Sequence, residues 1–254
     1  MTPWRLSELT YRMVRERRFE VAVLPVGSTE AHGLHVPHGS DALHAERVAD
    51  RCCEAAHAQG AQVVLLPTIP YGVNANLLEF PLTIHVGQSV LDAMVGDVAA
   101  SLAHHGVRKL VVFNGHGGNA FKPLLRQLYG QSDVFCCLVD WWKVASDHYP
   151  EIFESVGDHA DEMETSVDLA LFPDLVHLED ADDGATRPSR FDAINRGWVQ
   201  ITRPWHLLTR NAGVGDPRPA SAEKGQRVID LVVERMGRFL KELAEAEMDE
   251  TFPY

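Results

Sequence analysis

The sequence predicts an α/β fold of three layers, with helices on both faces of a largely parallel sheet. Three observations carry the prediction. Short runs with apolar centres recur at residues 21–27, 61–70, 109–115 and 133–142, and segments of helical spacing stand between them. A long amphipathic segment follows near the end of the chain, "SAEKGQRVIDLVVERMGRFLKELAEAEM". A strand that is apolar at every position is buried on both faces, and strands alternating with helices build a parallel sheet covered on both sides.

Each element has its own signal. "VAVLPVG" ends on glycine and reads as the first buried strand. In "ALHAERVADRCCEAAHAQG", Leu43, Val48, Cys52 and Ala55 fall on or near one helical face, and Gly60 closes the helix. "AQVVLLPTIP" is a second strand stopped by prolines, "GQSVLDAMVGDVAASLAHHG" a helix with a glycine terminator, "KLVVFNG" a third strand and "DVFCCLVDWW" a fourth. "ADEMETSVDLALF" opens a further helix, and Ser221 is placed to cap the last one. Residues 179–219, rich in Pro, Gly, Asp and Arg, read as loops with short elements. No internal repeat appears, so residues 1–254 are expected to form a single domain.

The 254 residues carry 23 Lys and Arg against 36 Asp and Glu, a formal charge of −13. Repulsion from phosphate backbones then argues against nucleic-acid binding. The densest basic run, "RMVRERR", is interrupted by Glu16 and reads as a solvated helix face. No apolar run is long enough to span a bilayer, and "MTPWRLSELTYRMVRERRFE" lacks the apolar core of a secretory signal. A cytoplasmic location is expected. The cysteines form two adjacent pairs, Cys52-Cys53 and Cys136-Cys137, with neither the spacing of a zinc ribbon nor the geometry for a bridge between neighbours, and read as reduced packing residues.

Ligands of open α/β sheets gather outside the carboxyl ends of the strands. "GSTEAHGLHVPHGSD" leaves the first strand there and "NGHGGN" leaves the third, so two polar clusters distant in sequence meet on one edge. Glu30 and His32, two apart in extended backbone, point the same way. With Asp41 and His116 they offer two carboxylates and two imidazoles, a set that suits Zn²⁺, Mn²⁺ or Fe²⁺. The other account of the first cluster is a polar surface loop, with Asp41 or Ser40 capping the following helix. "NGHGGN" matches neither phosphate-loop fingerprint, and its glycines allow close backbone approach.

In "GDHADEMETS", acids near a helix N-terminus are stabilising on their own, which covers Asp161 and Glu162. It does not cover His159. Glu164 faces differently from Glu162 and is a candidate further ligand as well as a catalytic candidate beside His159. His35, His38 and His44 are either outer groups around the ligands or ordinary loop and helix residues, while His57, His104, His105, His148 and His177 read as surface or internally satisfied. Tyr71, Asn74 and Trp142 follow strand ends and are candidates for the substrate pocket.

Together, "LPVGSTEAHGLHVPHGSD", "NGHGGN", "HADEMETS" and "GVGDPRPASAEKG", in this order between residues 20 and 235, resemble the creatininase (creatinine amidohydrolase) family. The resemblance implies a three-layer α/β/α fold, a dinuclear metal centre, hydrolysis of cyclic or linear amide C–N bonds in a small-molecule substrate, and a homo-oligomer, often a hexamer. It places Glu30, His32, Asp41 and His116 at ligand positions, with Asp41 bridging, and His159 at a catalytic position. Two departures stand out. Creatininase carries a glutamate ligand where this chain has Gly118, and an aromatic residue where it has Gly117. Both argue against creatinine as substrate, and Glu164 or water is left to complete the second ion. Relatives with the "GHGGN" form include formamide deformylases, a peptidase of mycofactocin maturation and hydrolases of oxidised inositols, the last matching "HADEMETS" most closely.

The chemistry expected is attack by hydroxide made available by two divalent ions, with His159 protonating the leaving atom and Asp158 or a neighbouring acid holding its tautomer. The alternatives are C–C opening of a cyclic 1,3-dicarbonyl on the same machinery, and a non-catalytic metal-binding protein that binds a small molecule.

Overall fold

The computed structural model describes residues 2–155 and 157–254; Met1 and Val156 lie outside the described residues. The chain runs α1 (Tyr11–Arg15), β1 (Val21–Val26), α2 (Ser40–Ala58), β2 (Val63–Leu65), α3 (Gln88–His104), β3 (Lys109–Asn114), α4 (Lys122–Leu128), β4 (Phe135–Asp140), α5 (Tyr149–Ile152), α6 (Glu162–Leu171), α7 (Asp192–Asn195), α8 (Trp205–Leu208) and α9 (Ala222–Glu245), with 3-10 turns between them.

The four strands are parallel in the order β2-β1-β3-β4. Alternation along each strand sorts the core into two layers. Val21, Val23, Val63, Leu65, Val111 and Phe113 pack with α2, α6 and α9, among them Val48, Cys52, Val167, Val228 and Val232. Ala22, Leu24, Val26, Val64, Leu110 and Val112 pack with Leu91, Val95 and Ala99 of α3 and Leu124 of α4. The three-layer α/β/α arrangement follows from this pattern. Cys136 and Cys137 turn to opposite layers, and all four cysteines are free thiols.

The second strand is shorter than its apolar run. It covers three residues, because Pro67 and Pro70 interrupt the ladder, although Leu66 and Ile69 still donate to Val23 and Pro25 carbonyls. The capping expectation for α2 is corrected. Gly39 is the N-cap and no side chain caps it, so Asp41 stands inside the first turn with both oxygens free of capping. Ser40 Oγ instead donates to the Pro37 carbonyl and to Asp168 Oδ2. Ser221 caps α9 as expected, accepting from the Lys224 amide at 3.3 Å.

One buried charge ties the sheet to the last helix. Lys109, at the start of β3 and 4 % exposed, donates through Nζ to the Ala246 carbonyl at 2.5 Å and the Ala244 carbonyl at 3.4 Å, where the last carbonyls of α9 lack helical partners. Lys109→Met is expected to lower stability by about 1–3 kcal/mol, the cost of leaving those carbonyls unpaired. Urea unfolding checks it, and an unchanged midpoint would refute it.

Strand order reverses between β1 and β3, whose carboxyl ends pair as Val26 with Asn114. That reversal opens the crevice in which doubly wound sheets bind ligands. Among the described residues no helix is long and apolar enough to cross a membrane.

Candidate metal centre

The loops from β1 and β3 converge with the first turn of α2 in this crevice. Their meeting depends on close backbone approach: a Cβ on Gly115 would stand 2.6 Å from the Asp41 carbonyl oxygen. Asn114 stiffens the β3 loop. Its Oδ1 accepts from the His116 amide at 3.2 Å, and its Nδ2 donates to the His116 carbonyl and to Asp140 Oδ1, both at 2.9 Å. Asn119 adds a tie to the next loop, accepting from the Val73 amide at 3.1 Å.

Glu30, His32, Asp41, His116 and His159 are all buried and adjoin one another. His116 Nδ1 lies 2.9 Å from Asp41 Oδ2 and 3.1 Å from Glu30 Oε1. His32 Nε2 lies 3.2 Å from Asp41 Oδ1, and His159 Nδ1 lies 3.6 Å from Glu30 Oε1. Three groupings of potential ligand atoms, each within 4.8 Å, result: Glu30–Asp41–His116, His32–Asp41–Glu164 and Glu30–His32–His159. Asp41 turns one oxygen to each of two histidines, the disposition a bridging carboxylate requires.

The outer nitrogens of the imidazoles reveal what the inner ones face. His116 Nε2 lies 3.2 Å from the Val73 carbonyl, His32 Nδ1 3.1 Å from the Glu30 carbonyl, and His159 Nε2 2.8 Å from the Ala31 carbonyl. A carbonyl only accepts, so each of these nitrogens carries the proton. In a neutral ring the other nitrogen then aims a lone pair at carboxylate oxygens. Acceptors turned on acceptors in a buried volume call for a cation between them, and fixing a ligand histidine through its far N–H to a carbonyl is how metal sites orient the ring. Two carboxylate oxygens, Glu30 Oε2 and Asp41 Oδ2, are buried without a hydrogen-bond partner; the 2.9 Å approach of His116 to the latter lacks hydrogen-bond alignment. These orphans fit metal coordination.

The electrostatics agree. Burial lowers the proton affinity of His32, but Asp41, and with it Glu164 and Glu30, outweigh burial and hold its pKa at about 10. His116 is raised in the same way, burial opposing and Glu30 and Asp41 prevailing. The pocket thus demands positive charge. His159 differs: burial, joined by His32, lowers its pKa against the pull of Glu30 and Asp41, which keeps it neutral.

Glu164 comes from the first turn of α6. Asp161 caps that helix, accepting at 3.0 Å from the amides of Met163 and Glu164, and its other oxygen accepts from Gly157. Glu162 is fully buried and turned away, held by Lys224 and the Glu154 and Ser155 amides. Glu164 keeps one oxygen on the Ala160 amide at 2.6 Å and turns to His32 and Asp41. Gly118 is the counterpart of this arrangement. A Cβ there would stand 2.3 Å from His116 Nε2 and 2.5 Å from the Val73 carbonyl, so the loop that carries His116 has no room for a side chain at the position where creatininase has its glutamate.

The donor set opens into a cavity of about 780 Å³ walled by Trp142, Tyr149, Phe153, Ile201, Arg203 and Trp205. Trp142 is among the residues that line it. Tyr71 and Asn74 are not, which corrects both. Tyr71 lies 45 % exposed outside the cavity, and Asn74 is fully buried, its amide donating to Ser28 Oγ and the Ile84 carbonyl. His35, His38 and His44 also stay out of the centre, bonded to Thr165, the Pro81 carbonyl and Asp168. The tautomer of His159 is held by the Ala31 carbonyl, while Asp158 pairs with Arg203. Trp205, whose ring meets that of His159 edge-on at 4.9 Å, carried no signal in the sequence beyond its place in a loop of 41 residues, 179–219.

The profile of the creatininase family, described as creatinine amidohydrolase, matches residues 7–240. The chain is 30 % identical to the creatinine amidohydrolase of Pseudomonas putida, over 93 % of this chain and 96 % of that one. It is 26 % identical to a 3-dehydro-scyllo-inosose hydrolase of Thermotoga maritima, over 93 % and 82 % respectively. The structure of a protein from Bacteroides fragilis, provisionally named a creatinine amidohydrolase, superposes with a TM-score of 0.91 at 34 % identity, covering 98 % of this chain and all of that one. Solved creatininases of the same fold include a manganese form and a zinc–zinc form. The fold and the buried donor set define a metal-dependent hydrolase of the amidohydrolase type. Within that class, this chain belongs to the creatininase family.

Proposed function

We propose that the protein hydrolyses an amide C–N bond of a small cyclic or linear amide at a centre of two divalent ions. Glu30, Asp41 and His116 would hold one ion and His32, Asp41 and Glu164 the other, with Asp41 between them. The observation that carries this reading is the convergence of histidine lone pairs and orphaned carboxylate oxygens on one buried volume. When bound, the ions supply Lewis acidity, which acidifies water and polarises a carbonyl.

The chain's own residues supply the rest. His159, its Nε2–H fixed on the Ala31 carbonyl, presents a neutral Nδ1 to the cavity. That nitrogen takes a proton as water attacks the carbonyl and returns it to the leaving nitrogen as the C–N bond breaks. The Ala31 bond holds the ring orientation through both transfers, and Trp205 against the ring keeps bulk water away. Glu164 takes the place of the glutamate that Gly118 excludes.

Glu164→Gln is therefore expected to retain one ion and lose most of the second, with turnover falling on the order of 10²-fold or more. Metal content of the purified variant measures this, and two tightly held ions in it would refute the assignment. Activity itself is tested by incubating metal-loaded protein with a panel of formamides, lactams and short peptides and following amine release. The same panel should include a cyclic 1,3-dicarbonyl polyol. The Thermotoga relative and the polar wall residues Asn76, Gln200 and Thr202 favour that substrate as the second reading, in which a C–C bond breaks. No turnover of any member, with metals bound, favours a binding role instead. The reading extends to self-association: Leu82, Trp198 and Phe191 are 82 %, 72 % and 67 % exposed, and a homo-oligomer, up to a hexamer, would cover such apolar surface.

A further inference from the structure

Arg203 is the one lysine or arginine in the cavity wall among the described residues. Its guanidinium lies over the Trp205 ring at 4.9 Å, and the same indole system meets the His159 ring edge-on, also at 4.9 Å. One indole therefore touches both the guanidinium and the proposed proton carrier. Stacking fixes the plane of the fork and leaves its edges open. Of the five N–H groups, one on Nη1 is donated to Asp158 Oδ2 at 2.5 Å, and the others have no protein acceptor among the described residues. Both partners are about half exposed, at 47 % and 52 %, so this ion pair contributes little and competes weakly with an arriving anion.

The other acids of the wall are occupied. Glu30, Asp41 and Glu164 belong to the ligand groupings, and Asp161 accepts three backbone amides. Beside the polar Asn76, Gln200 and Thr202, the wall carries an aromatic and aliphatic surface from Trp142, Tyr149, Phe153, Ile201 and Trp205. A molecule lying along it has its reacting end at the donor set, an apolar or planar body on the indole, and its far end at the guanidinium fork.

We propose that Arg203 is a specificity-determining residue that binds a carboxylate on the non-reacting end of the substrate, Asp158 aiming its guanidinium and Trp205 supporting it. The substrate class is then an amide bearing a carboxylate across a short apolar spacer. This rests on the metal-centre reading above, and the experiment separates the two.

Metal-loaded protein is titrated calorimetrically with the straight-chain dicarboxylates from glutarate to suberate and with the monocarboxylates of the same lengths. One carboxylate engages the metal centre in either series, and only the dicarboxylates reach Arg203 as well. At least one dicarboxylate is expected to bind about tenfold more tightly than its monocarboxylate, the gain of a charge-assisted pair. Arg203→Met with Asp158→Asn, which leaves the wall neutral, should level the two series while metal content and monocarboxylate affinity stay as they were. Arg203→Lys should keep only part of the gain, because an ammonium lacks the fork. Equal affinities in the wild type, or a preference that survives the double substitution, overturns the assignment of Arg203 with the metal centre intact. Failure of every carboxylate to bind at full metal content also overturns the assignment of Arg203, whereas failure of the protein to take up metal at all overturns the metal centre, and this inference with it.

Discussion

Replacing Asp41 with alanine should empty the centre of both ions and reduce turnover by at least roughly 10³-fold, the largest loss expected from any single substitution here. Three features make the effect large. Asp41 is the carboxylate whose two oxygens meet two different histidines, His32 at 3.2 Å and His116 at 2.9 Å, so no other ligand can stand in for both halves. It is 2 % exposed, which leaves water little room to take its place. It is also free of any helix-capping duty, so the fold need not suffer. Stability then separates loss of a ligand from loss of structure. In the ion-free protein Asp41 pairs with His32 and His116, so the ion-free variant should melt below the ion-free wild type while still unfolding cooperatively. Added zinc or manganese, which stabilises the wild type by binding only the folded state, should leave the variant's melting temperature unmoved. Elemental analysis, turnover and a melting curve with and without metal make the test. A variant that keeps both ions would end the bridging assignment.

The convergence of the candidate ligands was legible because it obeys local rules. Glu30 and His32 face one way through the two-residue period of extended backbone, and Asp41 and His116 follow from the rule that loops at the carboxyl ends of adjacent parallel strands share a crevice. The layers were legible because strands such as "VAVLPV" are apolar at every position, and all six of its residues are buried. What escaped depends on tertiary path. The carbonyls that fix the three histidines belong to Val73, Glu30 and Ala31, and a backbone carbonyl leaves no trace in residue type. Asn74 has the side chain of a substrate contact, yet its neighbours turn it inward to pin three loop segments. Trp205 and Arg203 reach the cavity on an excursion closed by the bridge between Thr186 and Thr209, a pairing that no periodicity announces. Gly118 is the instructive case. The sequence shows a ligand missing there, whereas the structure shows a position crowded by His116 and Val73 and a glutamate from another helix turned toward the vacant side.

His159 allows the sharpest division between holding metal and moving protons. Its Nδ1 stands 3.6 Å from Glu30 Oε1 and belongs to one grouping with Glu30 and His32, so geometry admits it as a ligand. Two observations favour proton transfer for it instead. Glu30, His32, Asp41, His116 and Glu164 already furnish two complete groupings without it. It is also the one imidazole of the three whose environment lowers its pKa, burial and His32 prevailing over the nearby acids, where the other two are raised. A neutral ring with a free inner nitrogen suits a group that must accept a proton and then release it. His159→Ala is accordingly expected to keep the wild-type metal content and lose about 10²- to 10⁴-fold in turnover, the range for removal of a general acid–base. Substrates with better leaving groups should suffer less, since an activated anilide departs without the proton that an alkylamine needs; the loss should shrink as the leaving-group pKa falls. A uniform loss across leaving groups would indicate a ring that only shapes the pocket, and loss of an ion would make His159 a ligand. Imidazole added to the alanine variant should restore part of the rate toward alkylamides and none toward the activated anilide, because the cavity left beside Trp205 admits a free ring with the same proton to give.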